Sequence, residues 1–138
     1  MTAPPFTLRA IDHVVLRVRD LAASLHFYCD VLGCSVDKRQ EGIGLIQVRA
    51  GLSLIDLVPL DGMLGKRGGA GPGREGRNLD HFAIQIAPFD EANIRAHLAA
   101  HGIAIVESGQ RYGAEGTGPS VYIVDPDGNT VELKGPVE

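Results

Sequence analysis

Two stretches of the chain alternate apolar and polar positions in the same way: IDHVVLRV at 11–18 and LDHFAIQI at 79–86. A period of two predicts a half-buried strand. In the first stretch Val14, Leu16 and Val18 share one face, and His13, Val15 and Arg17 the other. In the second, Phe82, Ile84 and Ile86 oppose His81, Ala83 and Gln85. Each strand runs into a segment of helical period. The first has Asp20 as N-cap, Leu21, Leu25, Tyr28 and Leu32 on one stripe, and Gly33 as stop; the second has Asp90, Ile94, Leu98 and Gly102 in those roles. Three strand-like runs follow each helix: CSVDKRQ, GLIQVRA and LSLIDLV, then IAIVESGQ, SVYIVD and TVELK. DPDGN at 125–129 reads as a hairpin turn. The chain therefore reads as a duplicated strand–helix–strand–strand–strand unit, module 8–58 and module 79–134, joined by a Gly-rich loop over 59–78. The pattern predicts an α+β fold, a single domain of two tandem βαβββ modules whose sheets bend toward each other on the side away from the helices.

The apolar faces should bury against the helices. That leaves His13 and His81 on the opposite side, together with Glu132 in TVELK and Asp56 in LSLIDLV. Two related sheets bent toward each other would gather two imidazoles and two carboxylates around one hollow, a donor set suited to a borderline divalent metal. Arg17 shares the face of His13 and could hold an anion there. His26, His97 and His101 fall on helices and are read as having no role. Cys29 and Cys34 are read as free structural thiols.

Composition removes several function classes. The 138 residues suffice for one domain, and 44% hydrophobic with 22% charged residues is ordinary for a globular chain. A formal charge of −4 speaks against a nucleic-acid partner. No apolar run is long enough for a membrane helix, and the opening MTAPPFTLRA shows no signal-peptide pattern. With two closely spaced cysteines, a reducing cytoplasm is the expectation. Eighteen glycines, clustered in GKRGGAGPGREGR and GAEGTG, read as mobile loops of the kind that border binding sites.

DHVVLRVRDLAASLHFYCDVLG, LDHFAIQI and SVYIVDPDGNTVELK together resemble the vicinal oxygen chelate superfamily, which includes glyoxalase I, bleomycin-binding proteins, fosfomycin-resistance thiol transferases and extradiol dioxygenases. The resemblance covers about Leu8 to Lys134. It places His13, His81 and Glu132 on the family's metal-ligand positions and Asp56 where glyoxalase I has a glutamate ligand. The spacing from His13 to Arg17 is similar to that of glyoxalase I, where the arginine meets a substrate carboxylate. DGMLGKRGGAGPGREGR departs from the glyoxalase I loops. The resemblance implies one divalent ion per site (Zn, Ni, Mn or Fe) and a small vicinal-oxygen substrate such as a 2-oxoaldehyde–thiol adduct. In this lyase or isomerase chemistry Glu132, or else Asp56, moves a proton. It also implies a homodimer whose sites are shared between chains, although the 59–78 loop is long enough for closure within one chain. Three other chemistries belong to the same family: an Fe(II) ring-cleaving dioxygenase with Asp56 idle, a Mn(II) thiol transferase, and a metal-free binding protein. An aromatic content of 5% with no Trp gives the last little to stack a planar ligand.

Overall fold

The computed structural model describes residues 3–138. The first sheet contains β1 (His13–Val18), β2 (Ser35–Gln40), β3 (Leu45–Ala50) and β4 (Ser53–Pro59) in the order β1-β4-β3-β2. The second contains β5 (His81–Gln85), β6 (Glu107–Gly113), β7 (Gly116–Val124) and β8 (Thr130–Lys134) in the equivalent order β5-β8-β7-β6. In each sheet the first and last strands pair in parallel and the other pairs are antiparallel. The helix after the first strand supplies the crossover that a parallel pair requires. The two-module α+β architecture is as the alternation indicated.

Strand chemistry decides which face is buried. Leu16, Val18, Ile46, Val48, Ile55 and Leu57 in the first sheet all lie on the helix side, each at most 2% exposed. Val121, Ile123, Val131 and Leu133 do the same in the second, and all ten belong to one core cluster with Phe27, Tyr28 and Leu98. The two modules therefore share a core on the helix side. Lys38 and Arg39 on the edge strand β2, together with a register shift between Val36 and Lys38, discourage further strand pairing there.

Both helices begin where their caps indicate. The Asp20 carboxylate accepts from Ala23 N at 3.1 Å and that of Asp90 from Asn93 N at 3.0 Å. The first helix is not regular to Leu32. Its α-helical part, α1, covers Leu21–Leu25, and His26–Val31 is a π-helical turn in which Leu32 N donates to Phe27 O. The helix α2 covers Glu91–Ala100. Two other expectations change. IAIVESGQ is strand only from Glu107, and the strand continues through Gly113. GAEGTG is no mobile loop, because it closes the β6–β7 hairpin with Gly113 opposite Gly116. Among the described residues no helix is long and apolar enough to cross a membrane.

Candidate metal centre

Strand register places the candidate ligands. In the parallel pair β1–β4, Asp56 lies opposite Val15, two positions along from Leu54, the partner of His13. In β5–β8, Glu132 lies opposite Ala83 in the same relation to His81. The outcome is two similar pairs. His13 Nε2 is 3.8 Å from Asp56 Oδ2, and His81 Nε2 is 3.3 Å from Glu132 Oε1. Both carboxylates are buried, at 4% and 5% exposed, whereas both imidazoles reach solvent.

The Asp written before each histidine has a physical purpose. Asp12 Oδ2 lies 2.8 Å from His13 Nδ1, and Asp80 Oδ2 lies 2.6 Å from His81 Nδ1. A carboxylate on Nδ1 fixes the proton there and leaves Nε2 as the free lone pair, the arrangement usual behind metal-bound histidine. The Asp12 hydrogen bond, then the charge of Asp56, hold the His13 imidazole above its ordinary value near 6.5. The hydrogen bond to His81 holds Asp80 below the ordinary carboxylate value.

Each buried carboxylate is also held from the far side. Gln47 Nε2 donates to Asp56 Oδ1 at 3.1 Å, and Ser120 Oγ donates to Glu132 Oε2 at 2.6 Å. One oxygen of each is thus anchored and the other faces its imidazole. Around the second pair, the His81 and Tyr122 rings meet edge-on at 5.8 Å. Arg111 donates to the Tyr122 hydroxyl at 3.1 Å and lies 5.4 Å from its ring centroid. Burial, followed by nearby Glu132, raises the Tyr122 phenol above its ordinary value. Gln47, Ser120, Tyr122 and Arg111 carry no sequence signal of their own. They become visible only once the antiparallel register sets them beside Asp56 and Glu132.

Two imidazoles and two carboxylates, oriented in this way, fit a divalent ion of the Zn, Ni, Mn or Fe type. The chain brings them together only two by two. Among the described residues no three His, Cys, Asp or Glu side chains are grouped closely enough to hold a metal. The single hollow with four converging ligands is therefore not formed within one chain. The two modules share their core on the helix side, and this leaves the polar faces apart.

Arg17 lies on the face of His13, but its guanidinium is engaged. It donates to the carbonyls of Gly65, Gly68, Gly69 and Ala70 at 2.7 to 3.2 Å. The glycines of this loop serve close packing. A Cβ on Gly65 would lie 1.9 Å from the Pro59 carbonyl, and one on Gly68 would lie 2.5 Å from Arg17 Cζ. The loop includes a 3₁₀ turn at Gly65–Gly68 and is irregular from Gly69 to Asp80.

Comparison with known proteins identifies the family to which this fold belongs. The model of the Glyoxalase/Bleomycin resistance protein/Dioxygenase superfamily matches residues 10–133, and the chain belongs to that superfamily. It is 32% identical over 126 residues to the catechol-2,3-dioxygenase of Bacillus subtilis, which covers 89% of this chain but only 40% of that protein. It is 33% identical over 129 residues to virulence protein STM3117 of Salmonella typhimurium, covering 89% and 81% of the two. The crystal structure of that virulence protein superposes with a TM-score of 0.77, covering 96% of this chain and all 100% of the other. The crystal structure of lactoylglutathione lyase from Agrobacterium tumefaciens superposes with a TM-score of 0.66 at 26% identity, covering 94% and 95%.

Proposed function

We propose that the protein is a metal-dependent enzyme of the glyoxalase type, acting on a small substrate with two neighbouring oxygens, and that two copies of the chain complete each site. The observation that carries this reading is the pair of equivalent His–carboxylate sets, each with an oriented imidazole and an anchored carboxylate. Two sets of two donors give the four-ligand centre that the resemblance to glyoxalase I implies. A dioxygenase site of two histidines and one carboxylate would leave Asp56, which is buried and hydrogen-bonded, without a task. The catechol-2,3-dioxygenase relative keeps that chemistry as the alternative.

In this reading His13, Asp56, His81 and Glu132 hold one divalent ion per site. The ion would supply Lewis acidity, stabilising negative charge as it develops on the substrate oxygens. The chain supplies the rest. Glu132 is the candidate proton carrier: Oε1 faces His81, and Oε2 is fixed by Ser120, so the carboxylate can take a proton from a carbon beside a carbonyl without losing its position. Asp56 is held in the same way by Gln47 and is the alternative base. Arg17 has the role of fixing the 65–70 loop in place of the substrate anchor expected from its spacing.

Exposed Val15 and Val124, at 52% and 40%, lie on the same faces as the two pairs and favour closure by a second copy. A two-fold dimer in which module one faces the partner's module two carries two equivalent sites. The test mixes His13→Ala and Glu132→Ala chains by refolding together. Each variant alone should bind little metal, while the mixed dimer has one intact and one doubly damaged site, so part of the metal binding returns. No recovery in the mixture, or a monomer by light scattering, would count against shared sites. Full metal retention by both single variants would count against the ligand set.

A further inference from the structure

Lys134 ends β8 two positions after Glu132, so its side chain leaves the sheet on the same face. It is 7% exposed, and its Nζ is buried with no hydrogen-bond partner among the described residues. The stem lies across the end of β6, where a Cβ on Gly113 would come within 2.5 Å of Lys134 Cε. The absence of a side chain at Gly113 makes room for it. The polar neighbours are directed elsewhere. Gln85, opposite Lys134 in β5, donates to Glu115 at 3.0 Å, and Ser120, opposite it in β7, donates to Glu132. Lys134 also lines a cavity of about 280 Å³ with Gln85, Glu115, Ile86, Gly135 and Pro136.

An ammonium group out of water without a counter-charge is strongly unfavourable. A fold that keeps one beside a cavity, with no acceptor among the described residues in hydrogen-bond reach, is arranged for an anion that arrives from outside. We propose that Lys134 binds the carboxylate of a small 2-oxo or 2-hydroxy acid, a further subsite of the centre proposed above and dependent on that reading for the role of Glu132. Residues two apart on one strand face are separated by about 6.6 Å. A three- or four-carbon acid spans that distance, with its carboxylate at Lys134 and its neighbouring oxygen toward Glu132 and His81. Pro136 gives an apolar surface for a short side chain. Glu115 shares the cavity, so a ligand that also carries a hydroxyl donor is accommodated better than a bare anion.

The test uses zinc-loaded full-length protein, with zinc content measured for each variant, and calorimetric titration with pyruvate, lactate, neutral lactamide and inorganic phosphate. Lys134→Met should weaken pyruvate or lactate binding at least tenfold, leave zinc content unchanged and leave lactamide indifferent to the substitution. Lys134→Arg should restore part of the affinity. Without ligand, Lys134→Met should melt at the same temperature as the wild type or higher, because an uncompensated buried charge is gone. A lowered melting temperature would show Lys134 paired within the fold or to a partner chain and would overturn the assignment. Unchanged carboxylate affinity, no carboxylate binding by the wild type, or Lys134-dependent binding of phosphate alone would overturn it as well. Repeating the titration after removing zinc separates the two readings. Weak binding that still depends on Lys134 supports this subsite whatever becomes of the metal.

Discussion

Asp12 and Asp80 show how much a single neighbour can set. Each occupies the Nδ1 side of an imidazole whose Nε2 faces a buried carboxylate. Groups behind metal ligands typically contribute on the order of 10–100-fold in affinity. Ser120→Ala and Gln47→Ala should therefore each weaken metal binding by about that factor, measured by competition with a chelating dye, with little change in secondary structure by circular dichroism. The histidines and carboxylates were legible in the sequence because alternation alone assigns a face. Gln47 and Ser120 were not, because their relation to Asp56 and Glu132 exists only across a strand pair, whose register is not written locally. Cys34 offers a separate check. Burial first, and Cys29 second, push its thiol up to about 11 from its ordinary value of 9.0. The folded chain holds this proton more firmly than the unfolded one. The resulting stabilisation is complete below pH 9 and is lost as pH rises through about 11. Iodoacetamide at pH 8 should accordingly modify Cys34 far more slowly in the native protein than in urea, read by mass spectrometry.

Among the elements, the first helix departs furthest from its pattern. Leu21, Leu25, Tyr28 and Leu32 keep helical spacing, yet the hydrogen bonds widen after Leu25. A π turn is a rare insertion within an α-helix, and the helical spacing of the apolar residues does not announce it. The turn carries Tyr28, fully buried, whose hydroxyl donates to Asp125 Oδ2 at 2.6 Å. Asp125 also accepts from the backbone of Asp127 and Asn129 and from the Asn129 amide. Asp127 in turn accepts from Arg19 N, and Asn78 joins Asn129 to the backbone of Arg17. DPDGN is thus a polar lock between the modules as well as the hairpin turn its residues predicted. Tyr28→Phe should cost about 1–3 kcal/mol in urea unfolding, because the buried Asp125 carboxylate loses one of its four hydrogen-bond donors.

At the scale of the molecule, the duplication was legible and its assembly was not. Local pattern shows that two modules exist, but their mutual orientation depends on which faces bury more apolar area, a property of the finished fold. Leu16, Val48, Val121 and Ile123, each 0% exposed, settle that on the helix side. In the 59–78 connection, Arg17 gathers four carbonyls, of Gly65, Gly68, Gly69 and Ala70. Removing that anchor frees Lys66 and Arg67, which are exposed already. Arg17→Ala should speed limited tryptic cleavage there at least several-fold while the rest of the chain stays resistant, read by intact-mass analysis.

The separation of the candidate ligands into twos has a consequence for how the protein responds to its own abundance. A lone chain offers an ion two donors, a grip that water and ordinary cellular chelators can break. If a second copy completes the set, metal loading follows mass action in protein as well as in metal. Dilution would then release the ion with no change in metal supply, and synthesis of more chain would capture it more than proportionally. Activity per molecule would climb with concentration until the chain population is fully paired.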